Sequence, residues 1–196
     1  MYTITEPYVY EKIIQKSRFI VELIPLDTID AIKDTLLKLK TKYPGATHYC
    51  YGYRFHGKEK ASDDGEPTGT AGIPILTLLQ KRDIDQLLVV VIRYFGGIKL
   101  GAGGLVRAYS SSVKDALDQC SLVPLQFGYQ ISFQVSYEQQ GTIERFLAHP
   151  YTKQFSEVVT YTTKVTKQEF YELKANQFLS IEILNECYFA NAGILE

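Results

Sequence analysis

The sequence predicts an α+β protein with two domains, at 1–124 and 125–196, and three stretches of the chain indicate this class. The apolar run 87–92 is rich in β-branched residues, which is typical of a strand buried on both faces. After a glycine-rich segment, apolar residues recur at helical spacing from Leu105. In the second domain, apolar and polar residues alternate along 127–137, which predicts a half-buried antiparallel strand.

The first domain is predicted to begin with a strand followed by an amphipathic helix. The stretch 13–26 has the composition of a strand. The segment 27–43 predicts a helix that Asp27 or Thr28 can cap. Its apolar residues share one face at helical spacing: Ile29, Ile32, Leu36, Leu39 and Tyr43.

Residues 47–55 alternate in a way that predicts a strand with two distinct faces. One face is a mainly aromatic row and is predicted to lie in the core. The other face carries His48 and Arg54, which are placed to border a site. A single histidine is more often a hydrogen-bonded structural residue than a ligand, so both interpretations of His48 stay open.

A polar turn is predicted at 56–60, before an acidic loop. After that loop, the sequence predicts a second helix with Pro74 in its first turn. Its apolar face is expected to contain Ile73, Leu76 and Leu79.

The acidic loop places three carboxylates in four residues, at Asp63, Asp64 and Glu66. Crowded carboxylates repel one another unless a cation compensates them. In one interpretation the cluster holds a hard cation such as Mg²⁺ or a catalytic water. In the other, it pairs with Arg93 or Arg107 and ties the loop to the core strand. The oxygen-ligand spacing of a calcium loop is absent, which favours the ion pair.

A glycine-rich segment joins the buried strand to the next predicted helix. Its glycines are Gly96, Gly97, Gly101, Gly103 and Gly104. Glycines let backbone N–H groups converge, and a helix N-terminus carries partial positive charge, so this segment can hold an anion. Arg93, Lys99 and Arg107 would add formal charge. Neither the P-loop pattern nor the dinucleotide pattern is complete, however, and a tight turn with close packing explains the glycines equally well.

The second domain is predicted to follow the order β-α-β-β-α-β, which makes a small two-layer α+β domain. After the alternating strand, a short helix around Ile143 precedes strand material at 155–165 that bends into a hairpin. A helix near 168–176 and a last strand near 178–184 complete the order.

Composition bounds the function. The net charge of −1 argues against a protein that binds nucleic acid by bulk charge alone. The charge is uneven, +2 for 1–124 and −3 for 125–196, so if a phosphate backbone is bound, we expect it at the first domain. The three cysteines have neither metal-ligand nor disulfide spacing, which fits a reducing cytoplasm. No segment resembles a membrane span or a signal peptide, and we expect no membrane partner and no cofactor other than Mg²⁺ at the acidic loop.

Three motifs together resemble the IMPACT family: ATHYCYGYR at 46–54, SDDGEPTGTAG at 62–72 and VIRYFGGIKLGAGGLVRAY at 91–109. The resemblance covers nearly the whole chain, and the two-domain layout resembles the bacterial YigZ-type members. It implies an N-terminal domain with the ribosomal-protein S5 domain 2-like fold. It also implies a C-terminal ferredoxin-like domain similar to domain V of translation elongation factor G.

Eukaryotic relatives in this family act in translational control by binding the activator of a starvation-responsive eIF2 kinase, a pathway that a bacterial layout does not share. The resemblance implies a candidate surface but no established catalytic residues. Together with the residue chemistry, it gives these candidates for ligand or RNA binding: His48, Arg54, Asp63, Asp64, Glu66, Arg93, Tyr94, Gly96, Gly97, Lys99, Gly101, Gly103, Gly104 and Arg107.

Three functions compete at this point. The leading hypothesis is a non-enzymatic, cytoplasmic, translation-associated protein that contacts RNA or a ribosome-associated protein through the acidic and glycine-rich loops. The alternative is a metal-assisted hydrolase of a phosphorylated or peptide-like substrate, with Mg²⁺ on Asp63, Asp64 and Glu66 and with His48 as the base. The third is a protein-protein adaptor in which both motifs are structural.

Overall fold

The computed structural model describes residues 1–175 and 180–190. The chain divides into two compact units, Met1–Val123 and Pro124–Glu196. In the part of the chain that the structure describes, no helix is both long and apolar enough to cross a membrane.

The first unit is built on a five-stranded antiparallel sheet with the order β2-β3-β6-β4-β5. Its elements are β1 (Tyr2–Thr3), β2 (Tyr8–Ile14), β3 (Ser17–Pro25), α1 (Ala31–Lys42), β4 (His48–Phe55), β5 (Lys58–Ser62), α2 (Gly72–Lys81), β6 (Leu87–Tyr94) and α3 (Gly101–Gln119). The central strand β6 is the apolar run, and the predicted burial on both faces is confirmed.

Helices cover both faces of this sheet. Val89 and Val91 of β6 belong to one core cluster, together with residues of α2 and α3 such as Ile75 and Tyr109. The intervening residues of β6, such as Val90, pack in a second cluster with α1. A strand buried on both faces cannot show apolar-polar alternation, which is why β6 appears as an unbroken apolar run.

Several predicted boundaries were wrong. The stretch 13–26 is not one strand, because Gln15 and Lys16 adopt positive φ values of 44° and 64° and turn the chain between β2 and β3. The first helix begins at Ala31, whose N–H donates to Thr28 Oγ1 at 3.3 Å. The predicted polar turn at 56–60 holds the start of β5, which pairs with β4.

Residues from both faces of β4 lie in cores. Tyr53 of the aromatic row is buried on the α1 side, as predicted. On the opposite side Cys50 is fully buried in the α2–α3 core. A Cβ on Gly52 would lie 3.1 Å from Ile75 Cγ2, so α2 packs directly against this strand. In α2 itself, Ile73 is 54% exposed and does not belong to the buried face.

The second unit contains a four-stranded sheet with the order β10-β7-β9-β8 and antiparallel neighbours. Its elements are β7 (Val123–Val135), a 3₁₀ turn (Tyr137–Gln139), α4 (Gln140–Glu144), β8 (Tyr151–Phe155), β9 (Val159–Thr166), α5 (Lys167–Ala175) and β10 (Ser180–Ala190). The predicted β-α-β-β-α-β order is confirmed, and the ferredoxin-like assignment stays a prediction. The predicted helix end at Asn176 and strand start at Phe178 lie outside the described residues.

Candidate functional site

Asp63 caps the second helix. Its Oδ1 accepts hydrogen bonds from the backbone N–H groups of Ala71 and Gly72 at 2.9 and 2.8 Å, and its Oδ2 accepts one from Gly69 at 2.8 Å. Burial alone would raise the pKa of this carboxyl, but the three N–H donors outweigh burial, and the pKa lies below its usual value. The Asp63 carboxylate therefore caps the N-terminus of α2.

Glu66 forms a buried ion pair with Arg93. Arg93 Nη1 lies 2.6 Å from Glu66 Oε1, and the two side chains are 5% and 4% exposed. The Tyr109 hydroxyl donates to the same carboxylate oxygen at 2.8 Å, and Arg93 Nη2 donates to Ser17 Oγ at 3.4 Å. Of the two arginines considered for the acidic loop, Arg93 is the one that pairs with it.

His48 connects the acidic loop to the same pair. Its Nδ1 lies 2.8 Å from the Asp64 carbonyl oxygen, and because a carbonyl oxygen can only accept, Nδ1 must carry a hydrogen. Its Nε2 lies 3.8 Å from Glu66 Oε2. Asp64 also uses its side chain locally, since Oδ2 accepts the Tyr49 N–H at 2.7 Å. His48 is thus placed as a structural link between two parts of the loop.

The three carboxylates consequently have separate partners and do not converge. Among the described residues, no group of three or more histidine, cysteine, aspartate or glutamate side chains is arranged to hold a metal ion. This geometry gives the metal-assisted alternative no ligand set, because Asp63 faces helix N–H groups and Glu66 faces a guanidinium.

The glycine-rich segment is shorter than predicted, because α3 begins at Gly101 and not at Leu105. Gly101, Gly103 and Gly104 therefore lie in the first turn of the helix. Gly96 is required for close packing: a Cβ there would lie 2.0 Å from the carbonyl carbon and oxygen of Lys16. The next residue, Gly97, has a φ of +83°, which favours glycine.

A solvent-exposed surface remains around this segment, which we call the glycine-segment surface. Its side chains are Lys16, Phe95, Ile98, Lys99, Val106 and Arg107, and all of them are exposed. Among the described residues, the three cations of this surface form no ion pair with an acidic side chain. It combines apolar area with uncompensated positive charge.

Two further candidates, Arg54 and Tyr94, bond to backbone carbonyl oxygens outside the acidic loop and the glycine segment. Arg54 lies at the far end of β4 from His48 and opposite Leu87, and its Nη1 donates to the Ile84 carbonyl oxygen at 2.9 Å. The Tyr94 hydroxyl donates to the Pro44 carbonyl oxygen at 3.2 Å. Arg54 is thus not brought together with the loop residues.

The sequence reasoning missed the inner partners of the site. Cys50 Sγ lies 2.9 Å from the Asp63 carbonyl oxygen and 3.2 Å from the Tyr109 hydroxyl, and burial raises the pKa of this thiol to about 12. Ser17 Oγ accepts from the Gly96 N–H at 3.2 Å, and Thr47 Oγ1 accepts from the Phe95 N–H at 3.0 Å. Tyr109 matched the apolar helix pattern, but no local signal indicated where its hydroxyl would point.

A cavity of about 370 Å³ in the first unit is lined by none of the candidate site residues. It is lined by Asp27, Thr28, Ile29, Asp30, Phe55, His56 and Lys58. The acidic loop and the strand before the glycine segment instead meet in a closed contact, through Glu66 and Arg93.

Comparison with known proteins identifies relatives along most of the chain. The family model for the Impact N-terminal domain matches residues 15–117. The IMPACT family member YvyE of Bacillus subtilis is 38% identical over 175 residues, which cover 86% of this chain and 81% of YvyE. YigZ of Escherichia coli is 37% identical over 139 residues, 68% of each chain.

A solved structure shares the architecture. The crystal structure of a hypothetical protein superposes with a TM-score of 0.65 at 30% sequence identity. The superposition covers 92% of this chain and 97% of that one, so the likeness extends through both compact units.

Proposed function

This chain belongs to the IMPACT family, and from that membership we propose that it is a non-enzymatic, translation-associated binding protein. The glycine-segment surface contacts RNA or a ribosome-linked partner. The role of eukaryotic relatives in translational control supports the link to translation. The acidic loop supports this surface without being part of it. Glu66 is buried, and its ion pair with Arg93 fixes the strand that leads into the surface.

The observation that carries the proposal is uncompensated positive charge at an exposed, well-anchored surface. Lys16, Lys99 and Arg107 are exposed and form no ion pair within the described residues. Lysine and arginine side chains that bind phosphates release counterions from the nucleic acid, which provides much of the affinity. The chain has a net charge of −1, and among its described residues these three exposed cations of the glycine segment, the adjacent turn and the start of α3 form no ion pair, which favours an anionic partner there.

The start of α3 adds to this preference for an anion. The helix has no acidic residue in its first turn and no side-chain cap at Leu100. The first N–H groups of α3 thus receive no cap from the N-cap side chain, and the positive end of the helix dipole faces the same segment. RNA phosphates can accept hydrogen bonds from these N–H groups, and their negative charge interacts favourably with the positive end of the helix dipole. Both properties favour RNA over an uncharged protein surface.

Binding to fluorescein-labelled ribosomal RNA fragments across a salt series tests the proposal. We compare the wild type with Lys99→Ala/Arg107→Ala and with a control, Lys33→Ala/Lys38→Ala, which removes two exposed charges from α1. The first double variant should bind more weakly, and its slope of log affinity against log salt should fall by about one to two. The control should bind like the wild type.

Affinity that ignores salt, or equal losses in both double variants, would contradict RNA binding at this surface. Binding to intact ribosomes without binding to free ribosomal RNA would identify a ribosome-linked protein as the contact. The same two double variants then show whether the glycine-segment surface is responsible.

A further inference from the structure

Resting on the RNA contact proposed above, we infer that Phe95 is a stacking platform for one unpaired nucleobase of a single-stranded RNA segment. Lys16, Lys99 and Arg107 hold the flanking phosphates.

The Phe95 ring is presented to solvent at the end of the central strand. It follows Tyr94, the last residue of β6, and 47% of its surface is exposed. Ile98 and Val106 extend the apolar area, with exposures of 40% and 37%. Exposed apolar area that lies among polar groups is typical of a binding surface.

The ring is also held in place. The Arg93 guanidinium lies over the Phe95 ring, 5.6 Å from its centroid, and contacts the Phe19 ring at 5.5 Å. Arg93 is itself fixed by Glu66, and the Phe95 backbone N–H is bonded to Thr47 Oγ1. Binding therefore orders few side-chain torsions, which lowers the entropic cost of stacking on the outer ring face.

The surrounding charges match a nucleic-acid strand. Lys16 is next to Gly96, whose close approach to the Lys16 backbone brings the β2–β3 turn beside Phe95. Lys99 follows Phe95 in the same exposed segment, and Arg107 is exposed near the start of α3, into which this segment leads. An aromatic ring with cations beside it is the arrangement by which proteins bind single strands, with bases on the ring and phosphates on the cations.

The chemistry of phenylalanine selects an unpaired base. In a duplex the base faces are covered by neighbouring bases, so a protein ring can reach them only in single strands, loops or ends. Phenylalanine has no hydrogen-bonding group with which to read a base edge. We therefore expect a strong preference for single strands over duplex and a weak preference among sequences.

The absence of tryptophan from the chain allows a direct test. Phe95→Trp introduces a lone tryptophan at the proposed platform, and Phe146→Trp introduces one at a 59% exposed position in the second unit as the control. An unstructured oligoribonucleotide should quench the tryptophan fluorescence of the first variant and leave that of the second unchanged. Equal quenching in both, or none in the first, overturns the inference.

A second variant separates stacking from charge. Phe95→Leu keeps apolar bulk without the ring and should weaken binding of the unstructured oligoribonucleotide by about 5- to 100-fold. Its affinity for a fully paired, blunt-ended RNA duplex should stay within about twofold of the wild type, because the phosphate contacts are unchanged and the base faces of a duplex are covered. An equal loss of affinity for both RNAs, or no loss for either, overturns the stacking role of Phe95. The proposed function stands in that case as long as the wild type binds RNA. A wild type that binds neither RNA overturns the stacking role and the RNA contact on which it rests, and binding to intact ribosomes then decides whether the proposed function holds through a ribosome-linked protein.

Discussion

Glu66 Oε1 and Arg93 Nη1 lie 2.6 Å apart, although the two residues are 27 positions apart in the chain and each side chain is no more than 5% exposed. Taking both charges out of water costs several kcal/mol, which only their mutual attraction and additional hydrogen bonds can offset. Tyr109 and Ser17 supply those bonds. The pair therefore ties the acidic loop to β6 and fixes the strand that ends at the exposed Phe95.

Breaking this pair should destabilise the protein strongly. Arg93→Met leaves the Glu66 carboxylate buried without its cation, and we expect a loss of about 3 to 5 kcal/mol in the free energy of unfolding, measured by urea denaturation. The matched control is Arg18→Met, whose partner Glu11 is 44% exposed, in a pair that lies in the same sheet. That exposed pair is screened by water, so its loss should change stability far less than the loss of the buried pair. Similar losses in the two variants would show that the Glu66–Arg93 contact is not the buried anchor described above.

The glycines of the segment should differ sharply in their tolerance of alanine. Gly96→Ala forces a Cβ to within 2.0 Å of the Lys16 backbone, which can yield only by moving the β2–β3 turn, and should cost at least about 3 kcal/mol. A Cβ at Gly103 would lie 3.6 Å from Arg107 Nη1, an ordinary contact with the end of a flexible side chain, so Gly103→Ala within the helix should stabilise by about 0.5 to 1 kcal/mol. Melting temperatures of the two variants decide this. A tolerated Gly96→Ala would refute the close approach of the turn.

Acid should weaken the cap of α2. The pKa of Asp63 in the folded protein lies below its unfolded value of about 3.9, so this group stabilises the fold above that pH and loses its contribution as the pH falls through the folded pKa. Asp63→Asn should be less stable than the wild type at neutral pH, and the difference should shrink below about pH 4. Urea denaturation at a series of pH values measures the gap. A gap that does not change with pH would argue against an ionised cap.

A high pH should destabilise the fold through ionisation of the Cys50 thiol. Burial raises the pKa of this thiol to about 12, above the unfolded value of about 8.5. Its contribution to stability is therefore complete below about pH 8.5 and is lost as the pH rises towards the folded pKa. Cys50→Ala should show a weaker loss of stability between about pH 8.5 and 10 than the wild type does.

Alkylation provides a second measurement on the same thiol. Iodoacetamide should modify Cys120 and Cys187, which are partly exposed, before it modifies Cys50 in the folded protein. Denaturant should remove the difference, and peptide mass spectrometry resolves the three sites. Modification of Cys50 at the rate of the other two without denaturant would contradict its burial.

The elements that could be predicted are mainly those in which burial imposes a periodic pattern on neighbouring residues. The strand β6 and the alternating strand β7 were predictable because burial on two faces or on one imposes a different periodicity on neighbouring residues. The turn at Gln15 and Lys16 was not, because neither residue belongs to the types that usually mark positive φ. The start of α3 was also missed, since glycines in a first helical turn have the same composition as a loop.

The chemistry of the acidic loop was narrowed by sequence and decided by the fold. Three neighbouring carboxylates require a compensating positive charge whatever their surroundings. Electrostatics alone therefore limited the possibilities to a metal ion or an ion pair. The selection of Arg93 over Arg107 did not follow from electrostatics, because it depends on strand pairing that places Arg93 opposite both Phe19 and His48.

The amino-acid sequence by itself determined the α+β class, the alternation within strands and the family of the chain, since each is carried by neighbouring residues or by contiguous motifs. Tertiary structure alone decided that Glu66 is an inner anchor, that Arg54 is remote and that Phe95, Lys99 and Arg107 face solvent. Burial is the physical reason. Whether a charged side chain pairs inside or remains available to a partner depends on what the sheet register and the covering helices bring against it, and no local pattern records that.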